Sequence, residues 1–114
     1  MQIRWKKHED TLEVGLKGEL DADNVEELNR FFKDGDGTGE TRIVLDLSEL
    51  DYVDSSGLGS FVRLMKESRA RGGDVRLVGP TNEVKKVLEL TRLNRVFDVR
   101  ETVVEAIERF CPVR

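Results

Sequence analysis

Residues 43–59 read Ile43-Val44-Leu45-Asp46-Leu47-Ser48-Glu49-Leu50-Asp51-Tyr52-Val53-Asp54-Ser55-Ser56-Gly57-Leu58-Gly59, and the change of pattern along them decides the fold. Ile43 to Leu47 is nearly continuous in apolar character, as in a central strand covered on both faces. Leu58, Phe61, Val62 and Met65 then recur at i, i+3, i+4 and i+7, so a helix begins around Ser55 or Ser56. Arg69, Arg71 and Gly72-Gly73 end that helix, with cations at its negative end and glycine available for a left-handed cap.

Working outward, the upstream chain supplies two strands and a helix. Ile3 and Trp5 alternate with charged residues, and Leu12, Val14 and Leu16 repeat the alternation after a charged turn. Period-two patterning predicts two strands, each with one buried face, and the short gap predicts a hairpin. Asp23 followed by Glu26 marks a helix start that carries Val25, Leu28 and Phe32 and ends near Asp34-Gly35. Asp34-Gly35-Asp36-Gly37-Thr38-Gly39-Glu40 reads as a surface loop.

Downstream, Val75 to Val78 forms a short strand stopped by Gly79-Pro80. Thr81 caps a third helix with Val84, Val87, Leu88 and Thr91 on one stripe. Val96, Phe97 and Val99 make a last strand, and Thr102 with Glu105 opens a fourth helix bearing Val103, Ala106, Ile107 and Phe110. Strands alternating with helices imply parallel pairing through crossovers. The expectation is an α/β fold: a small mixed sheet with an opening antiparallel hairpin, the remainder parallel, and about four packed helices.

The chain has 114 residues, the size of one domain, and residues 1–114 are expected to form it. No apolar run approaches the roughly 20 residues of a membrane span, so no membrane insertion is expected. Met1 to Asp10 is charged and lacks the apolar core of a secretory signal. A single Cys forms no internal disulfide, which points to a reducing cytoplasm. A net charge of −4 argues against nucleic acid as the main partner. One Cys and one His exclude a thiol- or imidazole-rich zinc site, and no metal or cofactor is expected.

Enzyme chemistry fails motif by motif. A nucleophile elbow needs G-x-S-x-G, but Val53 and Asp54 stand where the first glycine belongs for Ser55 and Ser56. His8 precedes both serines and reads as a solvated residue near a strand end. No phosphate-binding loop is present, and Gly35, Gly37 and Gly39 follow a helix rather than a strand. Asp34, Asp36 and Thr38 imitate half of a calcium loop, but its twelfth position is Leu45 instead of a bidentate Glu. Cys111 reads as partly packed and inert, and Lys6-Lys7 and Arg69–Arg71 as solvated charges.

Asp54-Ser55-Ser56-Gly57-Leu58-Gly59 remains. Ser is a favoured N-cap, so one hydroxyl has a structural use. Capping needs only one, however. Two glycines keep the surface low, and a low surface with exposed hydroxyls suits a docking partner or a kinase active site.

Three segments in order carry a family likeness: Gly18-Glu19-Leu20-Asp21, Ile43 to Leu47, and Asp54 to Gly59. With them the chain resembles, over nearly its whole length, the single-domain STAS proteins known as anti-sigma factor antagonists. The resemblance implies a non-enzymatic partner switch. The unphosphorylated protein binds an anti-sigma factor that is also an ATP-binding serine kinase, and so frees a sigma factor. Phosphorylation of the first serine, here Ser55, breaks the contact, and a PP2C-type phosphatase restores it. Ser56 is the secondary acceptor candidate. Asp21, Asp54, Ser55, Ser56, Gly57, Leu58 and Gly59 form the implied partner-binding set, and a monomer or weak dimer is expected. A phosphate at this helix start would meet the unpaired backbone amides of Gly57, Leu58 and nearby residues, so the fold should tolerate it. The alternative implied by the same likeness is a regulatory STAS subunit of another complex, in a transporter or a phosphatase signalling system.

Overall fold

The computed structural model describes residues 1–110. Its elements are β1 (Gln2–His8), β2 (Thr11–Leu20), α1 (Val25–Lys33), β3 (Arg42–Val53), α2 (Ser55–Ala70), β4 (Asp74–Val78), α3 (Asn82–Leu90), β5 (Asp98–Arg100) and α4 (Val103–Phe110), with a 3-10 turn at Leu93–Arg95. The five strands form one sheet in the order β1-β2-β3-β4-β5. β1 and β2 are antiparallel, and every other neighbouring pair is parallel. Fold class and pairing thus agree with the sequence reading.

The side-chain period of two gives the sheet two unlike faces. On one face the register aligns Leu12 with Ile43 and Val75, and Val14 with Leu45, Leu77 and Val99. These apolar rows meet Leu28 of α1, Leu58, Phe61 and Met65 of α2, and Val84 and Leu88 of α3 in one core. On the other face the rows are Glu13-Val44-Arg76-Asp98 and Gly15-Asp46-Val78-Arg100. Only Val44 and Val78 there join an apolar cluster, under Ala106 of α4.

The rest of that second face is charged and internally paired. Arg76 lies 3.0 Å from Asp98 and 3.4 Å from Asp74, and Arg100 lies 2.6 Å from Asp98. Arg4 reaches Glu49 at 3.0 Å and Asp46 at 3.8 Å. Isolated pairs of this kind contribute little each. Their alternation of sign nevertheless helps specify the register, because a two-residue slip of β5 against β4 sets Arg76 opposite Arg100 and Asp74 opposite Asp98.

Several local expectations need correction. β1 does not bury a full face: it is an edge strand, Ile3 is only half-covered, and Trp5 is 48% exposed. α1 starts one residue later than the Asp23 pattern implies, with Asn24 at the cap position. The Asp23 amide instead bonds the Asp21 carboxylate at 3.0 Å, a local Asx turn that competes with helix. The last strand is Asp98–Arg100; Phe97 is buried just before it and Val96 stays exposed. Thr102 accepts from the Glu105 amide at 3.2 Å, but its hydroxyl also donates to the Glu105 carboxylate, so the capping box lacks its reciprocal backbone bond.

His8 and three of the basic residues read as solvated turn out to be engaged. Lys7 pairs with Glu40 at 2.6 Å, and His8 Nε2 lies 2.7 Å from Glu13. Arg69 pairs with Asp74 at 2.7 Å, and Arg71 donates to the Gly39 carbonyl at 3.1 Å. Thr81 caps α3 as expected, and its hydroxyl also donates to the Leu50 carbonyl at 2.8 Å. Cys111 and the side chain of Phe110 lie outside the described residues.

Phe61 is fully buried where α2 meets the sheet. Truncating a buried Phe removes its transfer free energy and leaves a cavity. Phe61→Ala is expected to lower unfolding stability by about 3–5 kcal/mol, whereas Val104→Ala, at a 64% exposed position, should change it by less than about 0.5 kcal/mol. Urea denaturation monitored by circular dichroism checks both.

Candidate functional site

β2 and β3 run beyond the short β4, and the last residue pair they make is Leu20 opposite Val53. Both side chains are buried. The pairing brings the next residues of each strand, Asp21 and Asp54, to the same end of the sheet. The Asp54 amide donates to the Leu20 carbonyl at 3.1 Å, which extends the ladder by one bond past the strands.

Asp54, not a serine, is the N-cap of α2. Its backbone is extended, and Oδ1 accepts from the Gly57 amide at 3.0 Å. Its other oxygen, Oδ2, accepts from the Ala22 amide at 3.1 Å. One carboxylate therefore holds the start of α2 and the β2–α1 loop together. The loop is braced from its own side. Asn24 accepts from the Asp21 amide at 3.0 Å and donates to the Glu19 carbonyl at 2.8 Å.

With the cap position taken, both hydroxyls are released from that duty. Ser55 is exposed, and Ser56 is partly exposed. The Gly57 amide is engaged by Asp54 Oδ1, and the Leu58 amide by the Asp54 carbonyl at 3.0 Å. Of the amides expected to meet a phosphate, those of Gly57 and Leu58 are therefore already consumed by the cap. The amides of Ser55 and Ser56, ahead of the first intrahelical bond, are the donors such a group would find.

The two glycines also differ in role. Gly57 is buried, and a Cβ there would lie 2.6 Å from Val53 Cγ2 and 2.9 Å from Leu20. It lets α2 settle on the Leu20–Val53 pair. Gly59 is exposed, and an added Cβ would meet nothing within 4 Å. Gly59 alone keeps the surface beside the serines low. Leu58 is buried in the core and anchors the helix start.

The structure thus gathers Asp21, Asp54, Ser55, Ser56, Gly57, Leu58 and Gly59 at one end of the sheet. Ser60 adds a contact that sequence reasoning missed: its buried hydroxyl donates to Asn29 Oδ1 at 2.6 Å and ties α1 to α2. The sequence offered a hint in a polar residue on an otherwise apolar stripe. The two segments that build the site are acidic, since no Lys or Arg occurs in residues 18–29 or 43–62. Among the described residues no cluster of His, Cys, Asp or Glu is arranged to hold a metal ion. No helix there is long and apolar enough to cross a membrane.

The fold agrees with one family. The STAS domain family model matches residues 2–106, and the chain belongs to that family. An anti-sigma-B factor antagonist of Staphylococcus aureus is 30% identical over 89 residues, covering 78% of this chain and 82% of the relative. The crystal structure of a candidate anti-sigma factor antagonist from Thermotoga maritima superposes with a TM-score of 0.90 at 30% identity, over 96% of this chain and 95% of that one. The antagonist SpoIIAA in its unphosphorylated form gives 0.81 at 29% identity, over 95% of both chains. Its phosphorylated form, from Bacillus, gives 0.69 at 27%, over 95% of this chain and 98% of that one. These relatives are regulatory proteins.

The glycine contrast is directly testable. Gly57→Ala is expected to destabilise the protein by about 1–3 kcal/mol through overpacking against Val53. Gly59→Ala should stabilise it by up to about 1 kcal/mol, because the site is open and Ala is the better helix former. Thermal or urea melts of the two variants are predicted to shift in opposite directions.

Proposed function

We propose that this chain is an anti-sigma factor antagonist that works as a phosphorylation-controlled partner switch and has no catalytic activity of its own. Unphosphorylated, it binds a cytoplasmic anti-sigma factor of the ATP-binding serine kinase type through the Ser55 surface, and a sigma factor is released. The kinase phosphorylates Ser55, with Ser56 the secondary acceptor, and the complex separates. A PP2C-type phosphatase removes the phosphate and resets the switch.

The observation that carries this reading is the exposed Ser55 hydroxyl at the first position of α2, left free because Asp54 is the cap. The names of the relatives and the existence of a phosphorylated SpoIIAA structure support it. The physics of the switch is local. A phosphate adds about −1.5 to −2 charges at neutral pH. It lands beside the Asp54 cap, on segments (residues 18–29 and 43–62) that carry no Lys or Arg. The open amides of Ser55 and Ser56 let the isolated fold tolerate it. A partner that closes over the same surface must desolvate the dianion next to those carboxylates. A hundredfold change in affinity needs only about 2.7 kcal/mol of differential binding.

The test is a pull-down from native cells with wild type, Ser55→Ala and Ser55→Asp as baits, followed by tandem mass spectrometry. The expected result is phosphate on wild-type Ser55, an ATPase-fold kinase retained by the Ala form and lost by the Asp form, and circular dichroism spectra that coincide. Unmodified Ser55 together with the same assembly on all three baits would show a constitutive subunit instead.

A further inference from the structure

α1 and α2 enclose a groove of about 590 Å³ that starts where the serine surface stops. Its walls are Lys33 and Phe32 of α1, Arg63 and Glu67 of α2, and Arg71 with residues 37–40 of the glycine-rich loop at its far end. Asn29 and Ser60 lie at its near end, satisfied by their mutual hydrogen bond. Neither Arg63 nor the loop has a part in the site described above.

The charges around the groove are unbalanced. Lys33 and Arg63 are exposed, and among the described residues neither lies within ion-pair distance of a carboxylate. Arg71 is anchored by one guanidinium nitrogen to the Gly39 carbonyl, which holds its charge at the groove without neutralising it. Of the two acidic residues on the walls, Glu40 is already occupied by Lys7. Glu67 remains against three cations. At the opposite end of the same helix pair, residues 18–29 and 43–62 supply carboxylates and no Lys or Arg.

We infer that this groove is a second docking point, which takes an acidic segment of the same anti-sigma partner and fixes how that partner sits on Ser55. The inference rests on the proposed function. Charge complementarity names the occupant: a segment bearing Asp or Glu side chains meets Lys33, Arg63 and Arg71. Continuity makes it reachable. At about 1.5 Å of rise per residue, Arg63 is about 12 Å along α2 from Ser55. One ordinary interface of about 800 Å² per partner spans that distance. A surface acidic at one end and basic at the other accepts a complementary partner in one orientation, because the reversed pose sets like charges together. The glycine-rich loop thereby gains a role as one wall of the groove.

The experiment uses the anti-sigma factor recovered on the Ser55→Ala bait, purified and titrated by calorimetry against wild type, Lys33→Glu/Arg63→Glu and Lys85→Glu/Lys86→Glu. The last pair makes the same change of net charge on exposed positions of α3. The groove variant is expected to bind at least tenfold more weakly, with an unchanged melting temperature and a shallower salt dependence, while the α3 variant stays within twofold of wild type. Affinity of the groove variant within twofold, with Ser55→Asp still releasing the partner, overturns the groove and leaves the switch standing. Equal loss in both charge variants reduces the effect to net charge and also overturns it. If no ATPase-fold partner is held by Ser55→Ala, the switch itself fails and the groove falls with it.

Discussion

The terminal pairing of β2 with β3, Leu20 opposite Val53, is the constraint on which the site depends. Both side chains are buried, so the register cannot slip without exposing them or turning them to the wrong face. That register puts Asp54 one residue beyond the ladder and within reach of the Ala22 amide. It also supplies the floor on which Gly57 rests, too close for any side chain. The serine surface follows from packing beneath it rather than from anything the serines do themselves.

Asp54 shows how one group can do two jobs at once. As a cap it satisfies an amide that would otherwise be an orphan donor at the helix start. As a bridge it joins two segments separated by more than thirty residues of chain. Both carboxylate oxygens are committed, and the hydroxyls of Ser55 and Ser56 are thereby left for a partner. A serine in the cap position would have turned its hydroxyl inward to the backbone. The Asp-Ser-Ser order is thus a division of labour between holding the loop and presenting the acceptor.

The sheet beneath is asymmetric in a way that serves this end of the molecule. One face is an apolar core shared by α1, α2 and α3. The other is largely an array of paired charges with α4 over a small apolar patch. Because the three crossover helices share the apolar face, α1 and α2 lie side by side. Their aligned chain directions set Glu26 and Glu27 of α1 and the Asp54 cap of α2 at one end, and Arg30, Lys33 and Arg69 toward the other. A polarised helix pair over a rigid sheet suits a protein whose surface is read by a partner.

Much of this was legible in the residues. Hydrophobic period alone located the four helices and the opening hairpin, because alternation and the 3.6-residue stripe are local signals of which face is buried. The Asp54–Gly59 segment stood out because two adjacent hydroxyls exceed what a cap needs. Less legible were the edges and the partners. Trp5 and Ile3 read as core because their alternation is correct, but an edge strand has a neighbour on one side only. Lys7, His8 and Arg69 read as solvated because their carboxylates, Glu40, Glu13 and Asp74, come close only through strand pairing and loop closure. The sequence by itself determined the elements, their order and the candidate acceptor, since these depend on neighbours within a turn or two. Only the tertiary structure decided that Asp54 is the cap, that Gly57 is packed and Gly59 open, and that Lys33 and Arg63 flank one groove. Each of those depends on distances between segments far apart in the chain, which a local pattern does not contain.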